Sequence, residues 1–262
     1  LSGLFHRLAE PGRYWKRYTG IEDFDFPGSR TILSLPSQAP EIVHFHNLHL
    51  NYFDLSYFQN ISQRIPTIIT LHDMWLLTGH CAYALDCERW KTGCGACPYL
   101  GTYPAMHQDQ TAHNWLRKQH IFSHSRLHIV APSNWLIRKA EQSMLAPALI
   151  QTKVIPNGVD LTVFYPKSKR LARSHLGLPI EADILLFVSA SGMDTNAYKD
   201  YLTVQSAIEI VARKFNKRKL LFIALGGKDA VRHIGNVEIR YIPYQTSLEL
   251  VASYYQAADI YL

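Results

Sequence analysis

Two stretches decide the fold: Glu41-Ile42-Val43-His44-Phe45-His46, preceded by Pro40, and Thr67-Ile68-Ile69-Thr70-Leu71, introduced by Pro66. The first is a short strand candidate. The second is a β-branched run of the kind that forms a buried strand. Residues 52–63 between them read as helical. Strand, helix and strand at this spacing predict a βαβ unit and a parallel sheet.

The alternation continues outward. Residues 1–30 predict a basic helix and then a turn-rich stretch punctuated by Pro27 and Gly28. Residues 111–123 predict a helix and 127–131 a third strand. Pro132-Ser133-Asn134 opens a helix expected to reach Ala146, and 152–155 make a fourth strand. A second series follows: strand 184–188, helix 202–214, strand 219–225 closing on Gly226-Gly227, strand 237–242, helix 247–256 and the start of a strand at 259–262. The charged stretch PKSKRLARSHLGLPIEAD lies between the series, with Pro near both ends. The expected organisation is therefore an N-terminal domain over 1–165, a linker over 166–182 and a C-terminal domain over 183–262. Residues 73–105 have poor periodicity and hold all four Cys, so they read as an ordered insertion crossing the strand ends. The chain opens on Leu1 and closes on the apolar run AADIYL, so both ends read as cut and both domains as incomplete.

Composition narrows the class. With 262 residues, one to two domains are expected. At 47% apolar and 18% charged, with 15 Tyr, 11 Phe and 5 Trp, the chain is too rich in core-forming residues to be disordered. No apolar run reaches the length of a transmembrane helix, and the opening residues lack a signal-peptide core. Lys and Arg exceed Asp and Glu by 27 to 21, and the net charge of +6 suits an anionic partner. The basic clusters KSKR at 167–170 and NKRK at 216–219 read as solvated faces. No RNA-binding aromatic signature or recognition-helix pattern is present, so a nucleic-acid partner is not expected.

Several residues could carry chemistry. His44-Phe45-His46-Asn47-Leu48-His49 sits just past the first strand, where parallel sheets place ligand sites. His at i and i+2 face one way on an extended chain, which suits a polar crevice or a metal. His72-Asp73 follows the second strand, and a carboxylate beside an imidazole can fix its tautomer. A purely structural role at the strand-to-loop junction is the alternative. Cys81, Cys87, Cys94 and Cys97 have the spacing C-x5-C-x6-C-x2-C. A structural zinc, two disulfides and buried free thiols all remain open for them. Ser133 is placed to cap a helix, whose amides could also accept an anion. Asn157-Gly158 marks a tight turn, and Gly158 would let backbone approach a ligand. Ser191 and Gly192 follow a strand, and Lys199 precedes a helix; a glycine loop and a lysine together can hold a diphosphate. Gly226-Gly227 is either a second close-approach loop or a plain turn.

These motifs resemble the group 1, family four, retaining glycosyltransferases of GT-B fold. The similarity is strongest to the bacterial exopolysaccharide and lipopolysaccharide subset of colanic-acid type. The segments that carry it are HFHNLH at 44–49, TLHDMWLLTGHCAYALDCERWKTGCGACP at 70–98, APSNWL at 131–136, VIPNGVDLTVF at 154–164, AYKDY at 197–201, ALGG at 224–227 and YYQAADIYL at 254–262. The resemblance implies two Rossmann-like domains and a hexosyltransferase-like enzyme. Such an enzyme moves a sugar from a UDP- or GDP-sugar to a saccharide or lipid-linked saccharide. It implies His72 beside the donor sugar and Lys199 on the diphosphate, with Ser191, Gly192, Gly226 and Gly227 lining the nucleotide side. His46, Asn47, His49, Asp73, Ser133, Asn157 and Gly158 would line the cleft on the acceptor side. No catalytic metal is expected, and any zinc at the cysteines would be structural. The setting implied is cytoplasmic, with peripheral contact at the inner membrane. The family's glycine-rich first loop and its E-x7-E stretch are absent from residues 1–262, so this stretch alone is expected to be inactive. Met193 stands where the family often has Arg, and Lys199-Asp200 where it has Lys-Gly. The rival expectations are an epimerase of the same fold and a non-catalytic nucleotide-sugar-binding fragment.

Overall fold

The computed structural model describes residues 11–49, 52–189, 199–214 and 218–262. The chain divides between Asn157 and Gly158 into two compact units, each built on its own sheet.

In the first unit, α1 (Pro11–Thr19) and a 3-10 turn (Pro27–Ser34) lead to β1 (Val43–His46). A turn at Leu55–Tyr57 and α2 (Phe58–Arg64) carry the chain to β2 (Thr67–Thr70). Then come α3 (Thr111–Ser123), β3 (Leu127–Ala131), α4 (Asn134–Glu141) and β4 (Leu149–Val154). The strand order is β1-β2-β3-β4 and every pairing is parallel. His46 stands opposite Thr70, and Thr70 opposite Val130, so the carboxyl ends of neighbouring strands lie along one edge. Phe45, Phe58, Ile61, Ile69, Phe122, Leu127 and Ile129 form the core beneath it.

The helix α3 and the strand β3 lie where periodicity placed them. Other boundaries moved for local reasons. The helix expected from Tyr52 starts at Phe58, because the Asp54 carboxylate takes the amide and hydroxyl of Ser56 and holds a tight turn first. The helix expected to reach Ala146 stops at Glu141. Beyond it the Ser143 hydroxyl donates to the Ala140 carbonyl at 2.8 Å and accepts the Leu145 amide at 3.1 Å. Such side-chain bonds give the backbone an alternative to the helical ladder. Residues 73–105 contain no α-helix or strand, only short 3-10 turns at Trp75–Leu77 and Arg89–Lys91. They are nonetheless tied down. Buried Trp90 receives the indole N–H of Trp115 on its carbonyl at 2.8 Å, and the Met74 and Ala82 amides bond to the carbonyls of Ala82 and Tyr103.

The second unit runs α5 (Lys169–His175), β5 (Asp183–Val188), α6 (Tyr201–Lys214), β6 (Leu220–Leu225), β7 (Arg232–Ile234), β8 (Val237–Ile242), α7 (Leu248–Ala257) and β9 (Ile260–Tyr261). The order is β7-β8-β6-β5-β9, parallel except for the β7–β8 hairpin. The apolar run of β6 explains its central place. Phe222 and Ala224 pack on one face with Phe187, Tyr201 and Ile208, and Leu221, Ile223 and Leu225 on the other with Leu186, Tyr254 and Ala257. A strand covered on both faces has no polar side to show.

The stretch 166–182, expected as a linker, carries α5 as part of this unit. Its buried Arg173 donates to the carbonyls of Ala257, Ile180 and Ala182 and to the Asp259 carboxylate at 2.6 Å. Charge in this segment therefore marks an anchor. The hairpin strand β7 was not foreseen; it is short and largely exposed, so it has no apolar pattern to read.

Candidate active site

Four imidazoles gather at the carboxyl edge of the first sheet. β1 alternates, so His44 and His46 share the face opposite buried Phe45, with ring centroids 4.2 Å apart. β2 ends at Thr70, and the chain steps out to His72. His46 Nδ1 lies 3.0 Å from His72 Nε2, and the rings stack at 28°. A contact of this kind needs one hydrogen between two nitrogens, so at most one of the rings is an imidazolium while it holds. No other hydrogen bond to the His72 ring is present among the described residues. His44 Nε2 meets the Thr70 hydroxyl at 2.8 Å. Partial burial, and then the charges of His46 and His72, hold the His44 ring below the usual imidazole range.

The expected partnership of His72 with Asp73 takes another form. Asp73 Oδ2 lies 3.0 Å from His49 Nε2, while its Oδ1 accepts the Trp75 amide at 2.8 Å. His49 is further enclosed by the Tyr103 and Trp75 rings. The site thus holds two pairs, His46–His72 and His49–Asp73. Asn47 between them adopts φ 44°, and the Tyr52 hydroxyl spans the carbonyls of His46 and Asn47 at 3.0 Å each. Left-handed backbone at an asparagine turns the chain sharply between the two histidines.

Beneath this edge lies a charged pair that sequence reasoning missed. Lys118, wholly buried on α3, reaches Glu22 at 2.8 Å and the carbonyls of Trp75 and Thr78 at 3.0 and 3.1 Å. Its ammonium also sits over the Trp75 ring at 3.8 Å, and the Trp75 indole N–H donates to Glu22 at 2.7 Å. Burial pushes the Glu22 carboxyl up and the Lys118 ammonium down, against their mutual attraction. The pair fixes the segment that follows His72-Asp73. Its signal was faint: a lone lysine in an otherwise ordinary amphipathic helix.

The other expected residues are placed as follows. Ser133 caps α4, accepting the Leu136 amide at 3.3 Å. Asn157 and Gly158 are exposed, and a Cβ added to Gly158 would meet nothing within 4 Å. Lys199 is exposed and precedes Asp200, whose φ of 44° opens α6. Ser191 and Gly192 lie outside the described residues. Gly226 is buried with φ 101°, and a Cβ there would stand 1.8 Å from the Ser189 carbonyl oxygen. Its bareness therefore serves the sheet edge itself. The four cysteines are unlinked and line one small cavity in the insertion. Among the described residues, no group of three or more His, Cys, Asp or Glu side chains stands in a geometry that could hold a metal ion. No helix among them is long and apolar enough to cross a membrane.

The sequence matches the family described as Glycosyltransferase Family 4 over residues 9–163, more than half of the chain. It is similar to the "Putative colanic acid biosynthesis glycosyl transferase WcaC" of Escherichia coli, 31% identical over 133 residues, or 47% of this chain and 32% of that protein. It is also similar to the "D-inositol 3-phosphate glycosyltransferase" of Nocardiopsis dassonvillei, 30% identical over 123 residues, or 42% of this chain and 28% of that protein. A third relative, "D-inositol 3-phosphate glycosyltransferase 2" of Catenulispora acidiphila, is 30% identical over 116 residues, or 39% of this chain and 26% of that protein. The chain spans about a third or less of the length of each of these relatives.

Proposed function

We propose, from the premise that the chain belongs to glycosyltransferase family 4, that it serves sugar transfer from a nucleotide-diphosphate donor. The acceptor is a saccharide or lipid-linked saccharide, and anomeric configuration is retained. The observation that carries this reading is the exposed His46–His72 pair at the carboxyl ends of two parallel strands. Ligands of open α/β sheets bind beyond those ends.

The chemistry is a leaving-group problem. As the glycosidic bond breaks, negative charge grows on the departing diphosphate. Donors aimed at that charge stabilise the transition state more than the bound substrate. Lys199, with Ser191 and Gly192, is assigned this task. His72 is assigned to the sugar, its Nε2 held by His46 so that Nδ1 meets a sugar hydroxyl or ring substituent. The His49–Asp73 pair, with Ser133, is assigned to the acceptor side.

The test is a screen of UDP- and GDP-sugars by mass spectrometry, using the chain together with the sequence that flanks it at its source. The expected result is a sugar-extended acceptor and a released nucleoside diphosphate, with the anomeric configuration kept. A changed sugar on an intact nucleotide, formed without acceptor, would overturn transfer in favour of epimerisation.

A further inference from the structure

The insertion encloses a second site, independent of the sugar-transfer reading. Cys81, Cys87, Cys94 and Cys97 come from three turns of an irregular loop, yet they line one cavity of about 20 Å³. That volume suits a single water or ion. None of these cysteines is joined to another.

The surroundings are organised toward these sulfurs. The Gly79 amide donates to Cys94 Sγ at 3.3 Å, and a Cβ on Gly79 would stand 2.2 Å from the Thr111 carbonyl oxygen, so only glycine brings that amide so close. The tight Cys94-Gly95-Ala96-Cys97 turn has positive φ at its first three residues. Arg89 pins it, donating to the Gly95 and Ala96 carbonyls at 2.8 and 2.6 Å. The Cys97 amide is held by Asp109 at 2.7 Å. His80 is 2% exposed. Its Nδ1 faces the Pro104 carbonyl at 3.0 Å, an oxygen that only accepts, and its Nε2 points into the cavity, 3.5 Å from Cys97 Sγ. Two cations stand close by: Arg89 on the Gly95 and Ala96 carbonyls, and Lys118 on the carbonyl of Thr78, whose hydroxyl donates to the Cys81 carbonyl.

We propose that this cavity is a structural zinc site, one ion per chain, closed by the thiolates of Cys81, Cys87, Cys94 and Cys97 and walled by His80. Four thiolates around one divalent ion carry a net charge of −2, which the Arg89 guanidinium beside the Cys94–Cys97 turn and the Gly79 amide on Cys94 Sγ offset in part. Zinc–sulfur bonds of about 2.3 Å require the sulfurs to swing inward by side-chain rotation. Four protein ligands leave no open position for substrate, so the ion holds structure and does no chemistry. It would lock the insertion that runs from His72-Asp73 to α3.

Elemental analysis of protein purified without chelators should find one zinc per chain. Thiol titration should find the four cysteines protected, and all four should become reactive when a chelator removes the ion. Cobalt substituted for zinc should show intense sulfur-to-metal charge-transfer bands and a tetrahedral visible spectrum. His80→Ala should keep one zinc but release it to a chelator several-fold faster. Metal-free protein with four reactive thiols, or mass spectra showing two disulfides, would overturn the proposal. So would complete loss of zinc in a folded His80→Ala variant, because the imidazole would then be a ligand. The measurements on the unaltered protein decide the matter even where a Cys→Ser variant fails to fold.

Discussion

The carboxyl edges of the two sheets are built in opposite ways. In the first unit the edge is made of side chains: His44, His46 and His72 stand exposed, and His49 and Asp73 bond behind them. In the second unit the described part of the edge is made of bare backbone. Gly226 and Gly227 are buried there, the Gly226 amide bonds to the Ile242 carbonyl at 2.7 Å, and the Tyr201 and Tyr241 hydroxyls meet at 3.0 Å just below. An edge of solvent-facing imidazoles can lose one ring and still fold. An edge of close-packed glycine cannot gain a methyl group without moving strands. The same position in the same kind of sheet is thus open to chemical change in one unit and closed by packing in the other.

The largest effect should come from the first edge. His72→Ala should lower sugar transfer by about 10²–10⁴-fold, the range for a positioned acid–base or hydrogen-bonding side chain. Thermal unfolding should stay unchanged, because the ring is exposed and contacts chiefly His46. A large drop in melting temperature would break the contrast. Gly226→Ala should do the reverse. Left-handed backbone and a 1.8 Å clash with Ser189 should cost about 1–3 kcal/mol of stability, read by urea denaturation. Unaltered stability with weakened nucleotide binding would move Gly226 from packing to ligand contact. Ser133→Ala should cost about 1 kcal/mol through loss of the α4 cap. A rise in KM without loss of stability would instead place an anion at that helix start.

The contrast also explains what could be read in advance. β6 and β3 announced themselves because strands in a parallel sheet need apolar residues, and α3 because one face had to cover them. His46 and His72 were legible because they stand next to such runs. Adjacency leaves open whether Asp73 serves His72 or the strand-to-loop junction; it bonds His49, because consecutive side chains diverge as the chain turns at Asn47 and again after Leu71. His80 and the Glu22–Lys118 pair gave no periodic signal. Their partners are distant in sequence, and only packing brings them together. Spacing raised Ser191, Gly192 and Lys199 as holders of a diphosphate and left Gly226-Gly227 open between a turn and a close-approach loop, and the family resemblance implies a donor role for all of them.

The smallest effect concerns the charged segment that separates the two series of elements. Asp259 accepts from Lys169 at 2.5 Å, from Arg173 at 2.6 Å and from the Ile184 amide at 2.7 Å. Partial burial works against its charge, but these three donors together hold its carboxyl below the usual range. A carboxylate with a lowered folded pKa binds fewer protons folded than unfolded. Its contribution is therefore complete above the unfolded value, about 3.9, and fades as pH falls through the lower folded value. The Asp259 side chain is 31% exposed, so water screens the pair with Lys169 and keeps the gain small. Stability of the second unit measured by denaturant between pH 7 and pH 3 should fall more steeply with Asp259 present than in Asp259→Asn. Parallel curves would mean that Arg173 anchors α5 through its carbonyl contacts alone, and that the charge in this segment contributes nothing beyond solvation.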